Sequence, residues 1–278
     1  MAGVESHYSA QDIEARILAA LRVAGLNPDQ RLSPVELGAL DHFHTGGFRA
    51  SLVLKELAQI QAEDRVLDLG AGLAGPARML AASPGCHVDC IELSADYCVG
   101  ANLPNRLTAL DDRIDIHKGS ALDLPFPNDS FDVVWMQNVG MNIADKRKLY
   151  EEIHRVLKPD GRFAFQEMAA GQGAATYFPL PWATDPADNL LVGIEEMREV
   201  LTQCGFVAEY FEDVSDAQLP TPASGSPEST PQAPLSLSVY VDNLTQKAEN
   251  ATRSLREGQI RLVRGVFRAK IDRLNPPA

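Results

Sequence analysis

Apolar residues between Ser9 and Ala24 fall at Ile13, Ile17, Leu18 and Leu21, one stripe of a helical period, and Gly25 follows as a stop signal. The stretch "LSPVELGALDHFHTGGFRAS" predicts a Ser-Pro helix start, a turn rich in aromatics and histidine, and a further helix to about Ile60. From Asp64 the pattern alternates. "RVLDLG", "HVDCIELS", "IDIHKGSA", "FDVVWMQN" and "GRFAFQEM" are short β-rich runs, while "PARMLAAS", "ADYCVGANLPNRLTAL" and "KRKLYEEIHRVL" are helical. Such alternation predicts an α/β fold with a parallel, doubly wound sheet.

The tail is less regular. "IEEMREVLTQCG" predicts a helix closed by Gly205, and "FVAEYFEDV" a sixth strand. Residues 215–234 are rich in Pro, Ser and Thr and read as a flexible loop. "LSLSVYV" is expected to be the last strand. Beyond it Ile260, Val263, Phe267, Ile271 and Leu274 step at helical spacing, flanked by Arg253, Arg256, Arg261, Arg264 and Arg268. That segment predicts a C-terminal helix, its basic face either solvated or set against an anionic partner or a second copy. The expected organisation is an N-terminal helical cap at 1–60, a core at 61–241 containing the loop, and a C-terminal helix at 242–278.

Composition narrows the function. The 278 residues carry a formal net charge of -13 and a pI of about 4.9, with 45% hydrophobic and 23% charged residues. A globular fold with a real core is expected, and a generic nucleic-acid role is disfavoured because phosphate backbones bind clustered Lys and Arg. Cys86, Cys90, Cys98 and Cys204 form no C-x-x-C pair and have no histidine cluster at zinc spacing, so no metal is expected. No stretch has the length of a membrane span, and the N-terminus has no signal-like apolar core, so a cytoplasmic protein is expected.

"VLDLGAGLAG" places Gly70, Gly72 and Gly75 in a G-x-G-x-x-G turn after the first strand, with Asp68 on its leading edge. In an open parallel sheet ligands sit at the carboxyl ends of strands where the strand order reverses. The turn is expected to expose backbone amides at a helix start. A pyrophosphate would be repelled by Asp68; an ammonium would be attracted. Asp68 therefore favours an amino-acid-bearing nucleoside. Glu92, at the second strand end, suits ribose hydroxyls but serves NAD and S-adenosylmethionine equally.

Four segments together resemble the class I S-adenosylmethionine-dependent methyltransferases, from Asp64 to Gly205 and on to Val241. They are "VLDLGAG", "IELS", "GSALDLPFPNDSFDVVWMQNV" and "EIHRVLKPDGRFAFQEM". The resemblance implies a Rossmann-like seven-stranded sheet with an antiparallel last strand, and S-adenosyl-L-methionine as cofactor. It implies donor contacts at Asp68, Gly70, Ala71, Gly72, Glu92, Leu93, Ser120, Ala121, Leu122 and Gln137. Ser120 departs from the usual acidic residue there and offers the adenine a neutral acceptor.

"LDHFHTGG" further resembles an H-x-G element of sarcosine and dimethylglycine N-methyltransferases, which implies that His44, Thr45 and Gly46 approach the cofactor. The plainer account of His44 is a helix cap. Asn142 stands where some O-methyltransferases of the class place a histidine base, and Glu167 ends the fifth strand. His44, Asn142 and Glu167 are the catalytic candidates. His42, Phe43, Met141, Tyr177, Phe178 and Trp182 are candidates for the acceptor wall, although aromatics in "AATYFPLPWATDP" equally suit stapling of a long connection.

The expected activity is in-line methyl transfer to a small-molecule acceptor without metal, an amine being favoured because no histidine base follows the fourth strand. C- or O-methylation of a metabolite is the nearest alternative, followed by an RNA or protein substrate, then a cyclising or binding protein of the same fold. A homodimer is a further expectation.

Overall fold

The computed structural model describes residues 7–8, 12–173, 175–219 and 234–270. Its strands are β1 (Arg65–Leu69), β2 (His87–Glu92), β3 (Ile114–Lys118), β4 (Phe131–Gln137), β5 (Leu157–Ala170), β6 (Phe206–Asp213) and β7 (Ile260–Ala269). They form one seven-stranded sheet in the order β3-β2-β1-β4-β5-β7-β6. β7 runs antiparallel to β5 and β6, and the pairings from β3 through β5 are parallel. The Rossmann-like seven-stranded architecture is therefore as expected.

Alternation along each strand feeds two faces. Val66 joins Trp135 and Ala77 in one apolar cluster, while its neighbour Leu67 joins Met136 and Phe163 in another. Apolar residues of opposite parity are what a sheet covered on both faces requires. The helices are α1 (Ile13–Val23), α2 (Pro34–Asp41), α3 (Gly47–Ala58), α4 (Gly75–Ala82), α5 (Ala95–Thr108), α6 (Lys146–Val156), α7 (Ile194–Gln203) and α8 (Leu244–Arg256). Ile13, Ile17 and Leu21 are buried along α1, as their spacing predicts. A capping box between Ser33 and Glu36, with Pro34 in the first turn, fixes the start of α2.

The tail differs from expectation. Residues 260–269 are strand β7, inserted between β5 and β6, not a helix; the C-terminal helix is α8, which ends at Arg256. The helical spacing of Ile260, Val263 and Phe267 is a by-product of burial on both faces, since all but Arg261 and Arg268 of this strand are buried. The sheet thus extends past residue 241. "LSLSVYV" is not a strand: Leu237–Val239 is a short 3-10 turn, and Leu235, Tyr240 and Val241 pack on the cluster of Ile17 and Leu21. Its alternation reflects docking onto the helical cap. Arg253, Arg261 and Arg268 pair with Glu257, Asp213 and Glu209 and Arg264 is buried, while Arg253 and Arg256 stay exposed on α8. Most of the 215–234 loop, and Ile271 and Leu274, lie outside the described residues. No helix among the described residues is long and apolar enough to cross a membrane.

Candidate active site

β1 has β2 on one side and β4 on the other, so the strand order reverses at its carboxyl end. A cavity of about 1050 Å³ opens there. It is lined by Asp68, Gly70, Ala71, Gly72, Glu92 and Leu93, by Ser120, Ala121 and Leu122, and by Gln137. All the residues expected to hold the donor therefore meet on one wall.

The glycines of the turn have different duties. Gly70 has φ +67°, and a Cβ there would run into Val139 of the loop after β4. A Cβ on Gly75 would run into the carbonyl of Asp41 at the end of α2. Gly72 has no neighbour within 4 Å of such a Cβ and lines the cavity. Two of the three glycines thus allow close packing within the protein.

The turn does not present its amides as expected. The N–H groups of Gly70 and Ala71 both donate to Ile91 O, at 2.8 and 3.2 Å, and Gly72 N–H donates to Glu92 Oε2 at 2.9 Å. A pyrophosphate would meet carboxylates here and find these amides engaged. Glu92 also accepts from Ser94 N–H at 2.8 Å, which fixes its orientation.

Asp68 is 2% exposed, and its Oδ2 has no hydrogen-bond partner. Burial pushes its carboxyl up to about 8, the nearby Glu92 adds to the rise, and Arg78 opposes it. A buried carboxylate lacking a partner is costly. An ammonium delivered from the cavity would supply the missing donor. The residues fit an S-adenosylmethionine-like molecule: Asp68 for its ammonium, Glu92 for ribose hydroxyls, and 120–122 for its base. Ser120 Oγ accepts from Leu122 N–H at 3.2 Å, which stiffens that segment.

The cap histidines separate. His44 lines the cavity and His42 does not. Trp135 Nε1, which can only donate, lies 3.0 Å from Gln137 Oε1, and Ser51 Oγ donates to the same oxygen at 2.9 Å. His44 Nε2 lies 3.0 Å from Ser51 Oγ, and its Nδ1 lies 3.3 Å from Thr45 O and 3.4 Å from Gln137 Nε2. Burial, with His42 adding to it, drives the His44 imidazole down to about 3. It is neutral, and both nitrogens face partners within the protein. His42 is buried and bonded to Asp41 at 2.7 Å, beside the Asp41–Arg78 ion pair. Gln166 Nε2 anchors the same cap loop by donating to Thr45 O at 2.8 Å, and Gln166 Oε1 accepts from Arg264 at 2.7 Å.

Asn142, Met141, Phe43 and Trp182 line the cavity; Glu167, Tyr177 and Phe178 do not. Glu167 is 1% exposed and accepts from Val139 N–H and Gly140 N–H at 2.8 and 3.0 Å, so it braces the loop that carries Met141 and Asn142. Burial raises its carboxyl to about 7. Lys146, missed in the sequence, donates from above to Gly140 O at 2.9 Å, to Leu190 O at 2.8 Å and to Ile143 O. Tyr177 staples its connection to α8: its hydroxyl donates to Glu257 at 2.9 Å and its ring lies under Arg253.

Other lining residues had no sequence signal strong enough to flag them. Tyr8 accepts from Asn142 Nδ2 at 3.1 Å, and burial pushes its phenol up. His7 Nε2 donates to Pro181 O at 2.9 Å, linking the N-terminal segment to the acceptor-side connection. Leu244, Ala248, Ala251 and Leu255 of α8 also line the cavity; their spacing is a usable signal once the helix is placed.

Residues 67–165 match the methyltransferase domain model. The chain is 36% identical over 157 residues to a glycine/sarcosine/dimethylglycine N-methyltransferase from Actinopolyspora halophila, covering 56% of this chain and 28% of that one. It is 38% identical over 117 residues to a sarcosine/dimethylglycine N-methyltransferase from Aphanothece halophytica, covering 42% of each. The chain thus spans less than half the length of these curated relatives. Among solved structures, the geranyl diphosphate C-methyltransferase from Streptomyces coelicolor A3(2), bound to S-adenosyl-L-homocysteine, superposes with a TM-score of 0.68 at 19% identity, covering 96% and 97% of the two chains. That likeness shows the fold. Residues 67–165 thus match a methyltransferase domain, and the sheet that holds the unpartnered Asp68 and the fixed Glu92 has the fold of the class I methyltransferases.

Proposed function

We propose that the chain transfers the methyl group of S-adenosyl-L-methionine to a small-molecule acceptor, and that the acceptor atom is an amine nitrogen. The carrying observation is Asp68: a buried carboxylate oxygen without a partner, on the cavity wall beside Glu92. The N-methyltransferase relatives support the amine. So does His44, whose engaged nitrogens and low proton affinity make it a poor base.

When bound, S-adenosyl-L-methionine supplies an electrophilic methyl group on a sulfonium. Asp68 would hold its ammonium, Glu92 its ribose, and Ser120 with Ala121 and Leu122 its adenine. The remaining residues position and dehydrate the acceptor. Asn142 and Tyr8 offer a paired amide and phenol on the cavity wall, and Glu167 and Lys146 hold the loop that carries Asn142. Carboxylates along the lining favour a positive charge on either reactant. We read residues 1–60 as a cap that closes this site, with His44 and Thr45 tied to the sheet through Gln137 and Gln166.

Calorimetry with S-adenosyl-L-methionine and with NAD tests the donor. Incubation with methyl-labelled donor and a metabolite extract tests transfer. Label on nitrogen is expected; label on carbon or oxygen refutes the amine, and NAD binding without a response to the methyl donor refutes the reading as a whole.

A further inference from the structure

The acceptor half of the cavity restricts what the chain methylates, an inference that rests on the methyltransferase reading of the same site. Its carboxylates beyond the donor pair Asp68 and Glu92 are the exposed Asp145 and Asp188, and Asp41, which is paired with Arg78. Among the described residues no Lys or Arg lines it. Outside them the sequence has one further Lys or Arg, Arg273.

Nearby cations are already engaged. Arg78 donates to Asp41, Asn105 and Leu73 O, each at 2.6 Å. Lys146 points to the carbonyls of Gly140, Ile143 and Leu190. Arg264 is bonded to Gln166. With the donor's own carboxylate already to be housed, a further carboxylate or phosphate on the acceptor would lose water with no Lys or Arg of the lining to receive it.

The wall is also apolar over a long stretch. Leu244, Ala248, Ala251 and Leu255 line it from one face of α8, at the i, i+4, i+7 and i+11 positions. Met141 and Trp182 share an apolar cluster with Leu255, and Trp182 turns its indole N–H away to Asn189 Oδ1 at 2.9 Å. A cavity of 1050 Å³ exceeds the ~300–1,000 Å³ typical for one drug-sized ligand, so it has room for a nucleoside and a second bulky molecule. An acceptor of amino-acid size would leave this wall wetted.

We infer that the acceptor is a bulky, largely apolar amine without carboxylate or phosphate. The likeness to enzymes named for sarcosine and dimethylglycine does not extend to those acceptors. In the transfer the amine lone pair forms the N–C bond while the S–C bond breaks and its electrons stay on sulfur. Positive charge passes to nitrogen, and a secondary amine then releases its extra proton to solvent.

The test uses the full chain, after calorimetry has measured S-adenosyl-L-methionine binding; absence of donor binding would refute the parent reading separately. Three probes follow: N-methylgeranylamine, geranyl diphosphate and sarcosine. Release of S-adenosyl-L-homocysteine gives kcat/KM for each, and displacement of the uncharged dye Nile red from donor-saturated protein gives relative affinity. N-methylgeranylamine is expected to displace the dye at about 100-fold lower concentration than either anion, the scale of leaving a charge unpaired in a low-dielectric site. Any turnover is expected to follow the same order. Equal or better binding or turnover of geranyl diphosphate or sarcosine overturns the inference, and so does failure of donor-saturated protein to bind Nile red.

Discussion

Asp68, Glu92 and Ser120 sit on or just beyond neighbouring strands of one sheet, whereas the rest of the lining gathers Asn142, Trp182 and Leu255 from distant parts of the chain, with Tyr8 joining the two through Ser94 and Asn142. The donor side has rigid strand ends and short turns. The acceptor side is a turn, an irregular connection and one helix, locked by side chains such as Lys146 that never reach the cavity. The difference teaches that the two halves are separable. Loops and a terminal helix can change acceptor preference while the sheet keeps the donor site intact.

Removing the donor-side anchor should have the largest effect. Asp68→Ala deletes the unpartnered carboxylate and should weaken S-adenosyl-L-methionine binding by about 1.5–3 kcal/mol, roughly 10- to 150-fold. Calorimetry on the variant measures this directly. Unchanged affinity would mean that this wall does not hold an ammonium, and the division into halves would lose its donor side.

Lys146→Met probes the other half. The ammonium holds carbonyls of the loop after β4 to the connection at Leu190, so its loss should cost about 2 kcal/mol of stability. Denaturant midpoints measure the cost. Acceptor kcat/KM should then fall more than donor affinity; an equal fall in both would show that the halves are coupled.

The legibility of the molecule follows the same division. That the glycine turn, Glu92 and the 120–122 segment share one cavity could be read because each motif occupies contiguous residues whose spacing has few other uses. The rest of the lining could be read only in part: Phe43, Met141, Asn142 and Trp182 line the cavity as expected, whereas the apolar residues of α8 look ordinary until the helix is placed against β7. β7 itself was misread because a strand buried on both faces carries apolar residues at every spacing, helical ones included. Glu167 and His44 showed a related limit. Sequence places a titratable group at a strand end or a turn, but not whether its lone pairs face the cavity or backbone N–H groups.

Acidity offers a way to sharpen the donor side. Asp68 is raised from 3.8 to about 8 without a ligand, so near neutral pH its carboxyl is largely protonated. A cationic ligand needs it ionised. Donor affinity should therefore climb roughly tenfold per pH unit below about pH 8, with a proton released on binding, until the ligand's own ammonium begins to lose its proton. The ligand-free protein should show the reverse trend. Its folded state holds this proton more tightly than the unfolded chain, so the contribution is complete below 3.8 and is lost as pH rises through about 8. Thermal melts across this range, with and without donor, check both signs. A flat donor affinity would mean that another group carries the ammonium.

The smallest expected effect tests the boundary between the halves. His44 touches the cavity yet belongs by its bonds to Ser51 and Gln137, which also orient Trp135. His44→Asn removes the imidazole's bond to Ser51 but keeps a polar group of smaller size. Loss of one neutral hydrogen bond predicts about 1 kcal/mol, or roughly fivefold, on turnover, with less on donor affinity. Because the imidazole is neutral down to about pH 3, the variant should keep the wild-type pH profile of kcat. A vanished limb in that profile would make His44 a proton acceptor after all, and the cap loop would then belong to the chemistry as well as to closure of the site.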